Sequence, residues 1–203
     1  MMRSLRFGPI EVAHSDGVLV PRQWTIEQSR WAAALLRDLP EGPVLELCAG
    51  AGQIGLVVAV ETGRALVQVD ANPRACTNAR SNAEHAGVTS DVRCADLEHA
   101  LAADERFPLV LADPPYVPSD EVGELPDDPE SAIDGGADGL DIARTCIRVA
   151  AAHLLDGGLV VLQLRSPEQA DLLRPAAADL GLETEEVRTV ADAGALVLLR
   201  RRR

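Results

Sequence analysis

From residue 44 onward, short apolar runs alternate with amphipathic stretches. The runs cover 44–49, 66–71, 92–95, 109–112 and 159–164. Each is short, uninterrupted and rich in Val and Leu, as expected of strands buried on both faces. Between them, 54–62, 73–86, 140–155 and 167–180 have the spacing and composition of helices. Pro73 and Pro167 stand in first-turn positions, where a missing N–H is tolerated, and Gly63, Gly87, Gly157 and Gly181 stand where helices are expected to end. The alternation predicts an α/β, Rossmann-like fold, a mostly parallel sheet with crossover helices on both faces. The last two runs, 184–190 and 195–201, are separated only by Ala191, Asp192, Ala193 and Gly194, which leaves no room for a helix. They must pair antiparallel, so a seven-stranded sheet ending in a hairpin is expected.

Residues 1–40 precede this pattern and are expected to be an appendage to a single domain spanning 41–203. Within it, runs 7–13 and 17–20 flank His14, Ser15, Asp16 and Gly17, which reads as a hairpin turn. Residues 24–39 read as an amphipathic helix lying on the sheet. Segment 115–137 is acidic, holds Pro and Gly and lacks periodicity. A loop that long after a strand is expected to be a lid.

Composition narrows the function. At 203 residues, 47% hydrophobic and 25% charged, the chain has the make-up of one soluble domain, and its 2% aromatic content leaves Leu, Val and Ala to fill the core. No apolar run reaches the ~20 residues that span a bilayer, and the N-terminus has no apolar h-region, so a cytoplasmic protein free of the membrane is expected. Cys48, Cys76, Cys94 and Cys146 form no CxxC or Cys/His cluster; they are expected to be small buried hydrophobes, with neither zinc nor disulfides. The net charge of −13 repels phosphate backbones, which makes nucleic acid an unexpected partner. The basic run Arg200, Arg201, Arg202 and Arg203 reads as a solvated tail.

Two stretches carry candidate chemistry. The first contains Glu46, Cys48, Ala49, Gly50, Ala51 and Gly52, between a strand and a helix, where glycines let backbone approach a ligand. Gly50, Gly52 and Gly55 spell GxGxxG, and Asp70 ends the next strand twenty residues beyond Gly50, placed to accept from ribose hydroxyls. That pattern is shared by dehydrogenases and methyltransferases. Glu46 breaks the tie: a carboxylate suits a cationic amino-acid moiety, as in S-adenosylmethionine, and sits badly beside a pyrophosphate. Asp96 ends the third strand, where it could meet an adenine edge or cap a helix. The second stretch is Asp113, Pro114, Pro115 and Tyr116, directly after a strand. Prolines donate no hydrogen bond, so the turn is rigid and accepting; Asp113 adds an anionic acceptor and Tyr116 a flat face. Such a site suits a planar –NH₂, whose lone pair is localised when both N–H groups are accepted.

With these residues the chain resembles the protein-(glutamine-N5) methyltransferases, class I S-adenosylmethionine-dependent enzymes that methylate the Gly-Gly-Gln glutamine of peptide-chain release factors. Val18-Leu19-Val20-Pro21-Arg22 is similar to their Leu-Ile-Pro-Arg segment, and Leu45 to Gly52 to their cofactor loop. Asp113 to Tyr116 is similar to their Asn-Pro-Pro-Tyr motif. Asp128-Pro129 and Ala132-Ile133-Asp134-Gly135-Gly136-Ala137-Asp138-Gly139-Leu140 are similar to Glu-Pro and Ala-Leu-x-Gly-Gly-x-Asp-Gly-Leu. The resemblance implies that Cys48, Ala49, Gly50, Ala51, Gly52 and Asp70 hold the cofactor, with Asp96 and Leu97 near adenine. It implies that residues 113–116 hold the acceptor glutamine of a protein substrate such as a release factor. Two features depart from the family. Asp113 replaces its asparagine, as is usual in DNA adenine methyltransferases, and residues 1–40 are too short for the bacterial family's N-terminal helical domain, so a small adaptor subunit would complete the substrate platform. A nucleobase amine or a small metabolite is the alternative acceptor; an NAD-dependent oxidoreductase and a cofactor-sensing module are the readings from other classes.

Overall fold

The computed structural model describes residues 1–190 and 194–202. The chain opens with β1 (Met2–Phe7) and β2 (Ile10–Ser15), an antiparallel hairpin in which Phe7 pairs with Ile10. The reversal therefore falls at Gly8 and Pro9 and not at residues 14–17, as the sequence suggested. Gly8 takes the left-handed φ of 53°, which a tight two-residue turn needs, and residues 17–20 form no strand. The Asp16-Gly17 turn is docked elsewhere: their carbonyls accept from the Arg74 guanidinium (2.9 Å) and the Asn72 carboxamide (3.0 Å). The helix expected over 24–39 is α1 (Ile26–Leu35), extended by single 3-10 turns at Gln23–Thr25 and Leu36–Asp38.

The alternating region follows as β3 (Val44–Leu47), α2 (Gln53–Thr62), β4 (Leu66–Asp70), α3 (Pro73–Ala86), β5 (Ser90–Cys94), β6 (Phe107–Ala112), α4 (Glu130–Ile133), α5 (Asp141–His153), β7 (Leu154–Leu164), α6 (Pro167–Asp179), β8 (Leu182–Val190) and β9 (Gly194–Arg201). These strands form one seven-stranded sheet in the order β5-β4-β3-β6-β7-β9-β8. The β5-β4-β3-β6-β7 portion is parallel, and β9 runs antiparallel to both β7 and β8. The turn at Ala191, Asp192 and Ala193 lies outside the described residues, as does Arg203.

Two details differ from the sequence reading. β7 begins at Leu154, and Gly157, expected at a helix end, lies within that strand. Arg200 and Arg201 are strand residues rather than a solvated tail: Arg200 pairs with Glu185, and Arg201 donates to the carbonyls of Ala151 (3.1 Å) and Leu154 (3.2 Å). Pairing of β9 with its two neighbours draws Arg200 and Arg201 into the sheet.

Period-two alternation splits the core across the sheet. Leu109 and Leu111 of β6 face one cluster with Phe7, Val12, Trp31, Leu56 and Val57, whereas Val110 and Ala112 face another with Leu45, Leu47, Ile147 and Leu162. The hairpin and α1 thus share a core with α2, and α5 and α6 cover the opposite face. Fully burying a side chain such as Phe7 contributes about 1.5–3 kcal/mol, which holds the hairpin onto the sheet. Among the described residues, no helix is long and apolar enough to cross a membrane.

Candidate active site

Strand order reverses direction at β3, with β4 on one side and β6 on the other, and open α/β sheets bind ligands beyond the strand C-termini at such a point. The register levels those ends: Leu47 pairs with both Val69 and Ala112. Cys48 and Asp113, the residues that follow Leu47 and Ala112, therefore emerge side by side, with Asp70 and Asp96 next along the edge. A cavity of about 330 Å³ opens there. Its lining includes Cys48, Ala49, Gly50, Ala51, Asp70, Asp96, Leu97, Asp113 and Pro115 from the sequence expectation.

The glycine loop is held from beneath. Cys48 adopts φ 56°, unusual for a residue with a side chain and a form of strain that gathers at ligand sites. Asp70 braces the loop, accepting from Gly50 N and Asn72 N (2.8 Å each); burial raises its carboxyl above the ordinary range against these hydrogen bonds. Gly52, at φ 85°, lies behind the cavity, where a Cβ would come within 2.6 Å of Gln68 Nε2. Asn82 ties the loop to the N-terminal hairpin, donating to Ala51 O (2.9 Å) and Ala13 O (2.8 Å).

Glu46 is placed differently from the expectation. It does not line the cavity; its side chain is buried beneath the loop, accepting from Gly55 N (3.0 Å) and Gln68 Nε2 (2.6 Å). Because β3 is buried on both faces, a residue pointing off that strand enters the interior instead of the ligand space. Burial pushes its carboxyl up to about 7. Cys76 and Cys146 are buried as expected, whereas the other two cysteines differ. Cys94 is exposed, and Cys48, contributed by the loop, has its Sγ 3.8 Å from that of Cys146 on α5.

On the acceptor side, the Asp113 side chain lines the cavity and receives no hydrogen bond among the described residues; burial alone pushes its carboxyl up to about 7. Pro114 is buried, and Tyr116 is half-buried with its phenol raised by burial; neither lines the cavity. Segment 115–137 folds back on itself. Val117 N donates to Ile133 O and Gly135 N to Val117 O (2.9 Å each). Ion pairs Arg22–Asp128 and Arg165–Glu121 fasten it to the rest of the chain, and its residues Ser131, Ala132 and Asp134 form one cavity wall. Asp96 lines the cavity and also caps the turn after β5, accepting from Glu98 N (2.9 Å).

Sequence reasoning missed Gln53, Asn72 and Thr145, which line the cavity from α2, the start of α3 and α5. Asn72 left one usable sign, an Asn just before Pro73 at a helix start, where it caps α3 by accepting from Arg74 N (2.9 Å). The cavity is strongly anionic. Asp70, Asp96, Glu98, Asp113 and Asp134 line it, and Arg22, already paired with Asp128, is the one cation among the described lining residues.

The family model for the methyltransferase small domain matches residues 29–124. The release factor glutamine methyltransferase of Mycolicibacterium smegmatis is 36% identical over 75% of this chain and 56% of its own length. The ribosomal protein uL3 glutamine methyltransferase of Bradyrhizobium diazoefficiens is 36% identical over 70% of this chain and 47% of its own. The chain spans about half the length of these curated relatives. A Thermus thermophilus 16S rRNA N2 G1207 methyltransferase, solved with AdoMet and guanosine, shares the fold at a TM-score of 0.73 and 21% identity, covering 100% of this chain and 50% of that one. In sequence the chain is similar to these glutamine methyltransferases over most of its length, with a methyltransferase small domain at residues 29–124, and the solved structure shows the shared fold.

Proposed function

We propose that the chain is an S-adenosylmethionine-dependent N-methyltransferase acting on a glutamine side-chain amide of a protein, of the release-factor or uL3 type. The observation that carries this reading is the Asp113 carboxyl, unpartnered in an anionic cavity beside the glycine loop. An anionic cavity favours a cationic ligand, and S-adenosylmethionine carries a sulfonium and an ammonium. When bound, the cofactor supplies an electrophilic methyl group.

The chain's own residues do the rest. Cys48, Ala49, Gly50, Ala51 and Gly52 shape the loop over which the cofactor lies. Asp70, with one N–H on each oxygen, keeps lone pairs for ribose hydroxyls. Asp96 and Leu97 flank the adenine. Asp113 and the Pro114 carbonyl accept the two N–H groups of the acceptor amide, localising the nitrogen lone pair and aiming it at the methyl group. The proton that the methylated nitrogen releases leaves to solvent, so Asp113 acts by accepting a hydrogen bond and orienting the amide. Tyr116 and segment 115–137 enclose the acceptor.

Asp113 supports one second reading. A carboxylate that only accepts also complements an exocyclic amine of a nucleobase, although the anionic lining opposes an approaching phosphate chain. Labelled methyl transfer into a cell extract, followed by protease or nuclease digestion, separates the two. Label in a glutamine-bearing peptide is expected; label confined to nucleic acid refutes the protein acceptor. In a thermal-shift assay, S-adenosylmethionine is expected to raise Tm and NAD to leave it unchanged.

A further inference from the structure

Residues 113–116 have only two backbone donors, those of Asp113 and Tyr116, because Pro114 and Pro115 have no N–H. Two glutamine carboxamides from distant elements grip the carbonyls at its two ends. Gln28 of α1, fully buried, donates through Nε2 to Ala112 O and to Val161 O of β7, at 2.9 Å each. Gln169 of α6 donates through Nε2 to Tyr116 O (2.9 Å) and to Asp138 O (3.3 Å), while its Oε1 accepts from Arg165 N (3.0 Å).

We propose that Gln28 and Gln169 are positioning residues that clamp the 113–116 turn from both ends and set where Asp113 meets the acceptor. Each side chain has its orientation dictated by its acceptors, since a flipped amide would set oxygen against two carbonyls. Among the described residues Gln28 Oε1 has no partner, so that amide contributes its donors at the expense of a buried oxygen. The same contact explains the glycine at 139. A Cβ there would lie 2.6 Å from Gln169 Nε2 and would overlap Tyr116 O, so glycine is what lets α6 reach the turn. Gln169 thereby joins the Pro-Pro-Tyr turn to the loop that ends at Leu140, two stretches that the sequence presents separately.

The clamp acts on catalysis only if 113–116 is the acceptor site, and its test separates the two ideas. Tyr116 is the sole tyrosine of the chain, so ¹⁵N-tyrosine labelling yields one amide signal reporting this turn. Gln169→Leu and Gln28→Leu are expected to shift or exchange-broaden that signal. Leu172→Ala, at an exposed position of α6 that makes no contact with the Gln169 amide, is expected to leave it in place. Both glutamine variants should bind S-adenosylhomocysteine within about threefold of wild type by calorimetry, yet lose at least about tenfold in kcat for labelled methyl transfer to recombinant release factor. If buried Gln28→Leu fails to fold, Gln169→Leu decides alone. A Tyr116 signal superimposable on wild type overturns the clamp, and so does a shifted signal with unchanged kcat. A wild-type chain that methylates no glutamine refutes the acceptor-site reading, while the Tyr116 signal still decides whether the turn is gripped.

Discussion

Replacing Asp113 with asparagine tests the site through proton linkage. Burial pushes the folded-state carboxyl up to about 7, against about 4 for an unperturbed aspartate. Between pH 4 and 7 the folded chain therefore holds a proton that the unfolded chain has released, so stability falls as pH rises through that window and levels off above 7. Three pK units correspond to a ceiling of about 4 kcal/mol. The side chain borders an open cavity, and water reduces this to about 2 kcal/mol. Asp113→Asn abolishes the titration. At pH 8 it should be more stable than wild type by roughly 4–8 °C in Tm, for a domain this size, and the gap should close toward pH 5. Glu46, also raised to about 7, titrates in the same window, and because the Asp113 charge is one of the smaller causes that raise it, the gap includes a small easing of Glu46 as well. A sulfonium beside Asp113 should pull the proton off. At pH 6, S-adenosylmethionine binding to wild type should therefore release close to one proton more than binding to Asp113→Asn, as measured by calorimetry in buffers of different ionisation enthalpy. The neutral thioether S-adenosylhomocysteine should release less. A Tm gap that is the same at pH 5 and pH 8, together with equal proton release by the two proteins, would refute the reasoning. For turnover, Asp113→Asn should keep substantial activity on a glutamine amide, because the amide oxygen still accepts, whereas Asp113→Ala should lose about a hundredfold.

Asp70→Ala removes the carboxylate that braces Gly50 and that the proposed function sets against the ribose, interactions of about 1.5–3 kcal/mol, so calorimetry should show S-adenosylmethionine affinity falling tenfold or more; unchanged affinity would sink the assignment. Tyr116→Ala should reduce kcat at least tenfold while S-adenosylhomocysteine affinity stays within about threefold, and an equal loss in both would move the ring into the cofactor pocket. Glu46→Gln sets an –NH₂ against a donor, either Gly55 N or Gln68 Nε2, and should lower stability by about 1–3 kcal/mol in urea melts with cofactor affinity little changed. Full stability with a lost affinity would return Glu46 to the cofactor site.

Local pattern carries a long way in this chain. The uninterrupted apolar runs at β3, β4 and β6, the prolines at the starts of α3 and α6, and the short gap before β9 each declare an element, because strand and helix periods are local properties. The glycine loop, Asp70 and residues 113–116 are legible for the same reason: each sits within a few residues of a strand end, and a parallel sheet delivers all strand ends to one edge. Register decided the rest. Only pairing of Leu47 with Ala112 brings Cys48 beside Asp113, and only burial of β3 on both faces turns Glu46 inward to Gly55 and Gln68. The hairpin reversal lies at Gly8-Pro9, while Asp16-Gly17 found partners in Arg74 of α3 and its cap Asn72, a contact spanning more than fifty residues. Gln28 and Gln169 carry no sequence signal at all; a glutamine on an amphipathic helix looks solvated until packing aims it at a carbonyl of the turn. Sequence periodicity thus determined the elements and the chemistry at their ends. Tertiary packing determined which polar side chains turn inward to hold that chemistry in place, since a buried donor is defined by its partner and the partner lies far along the chain.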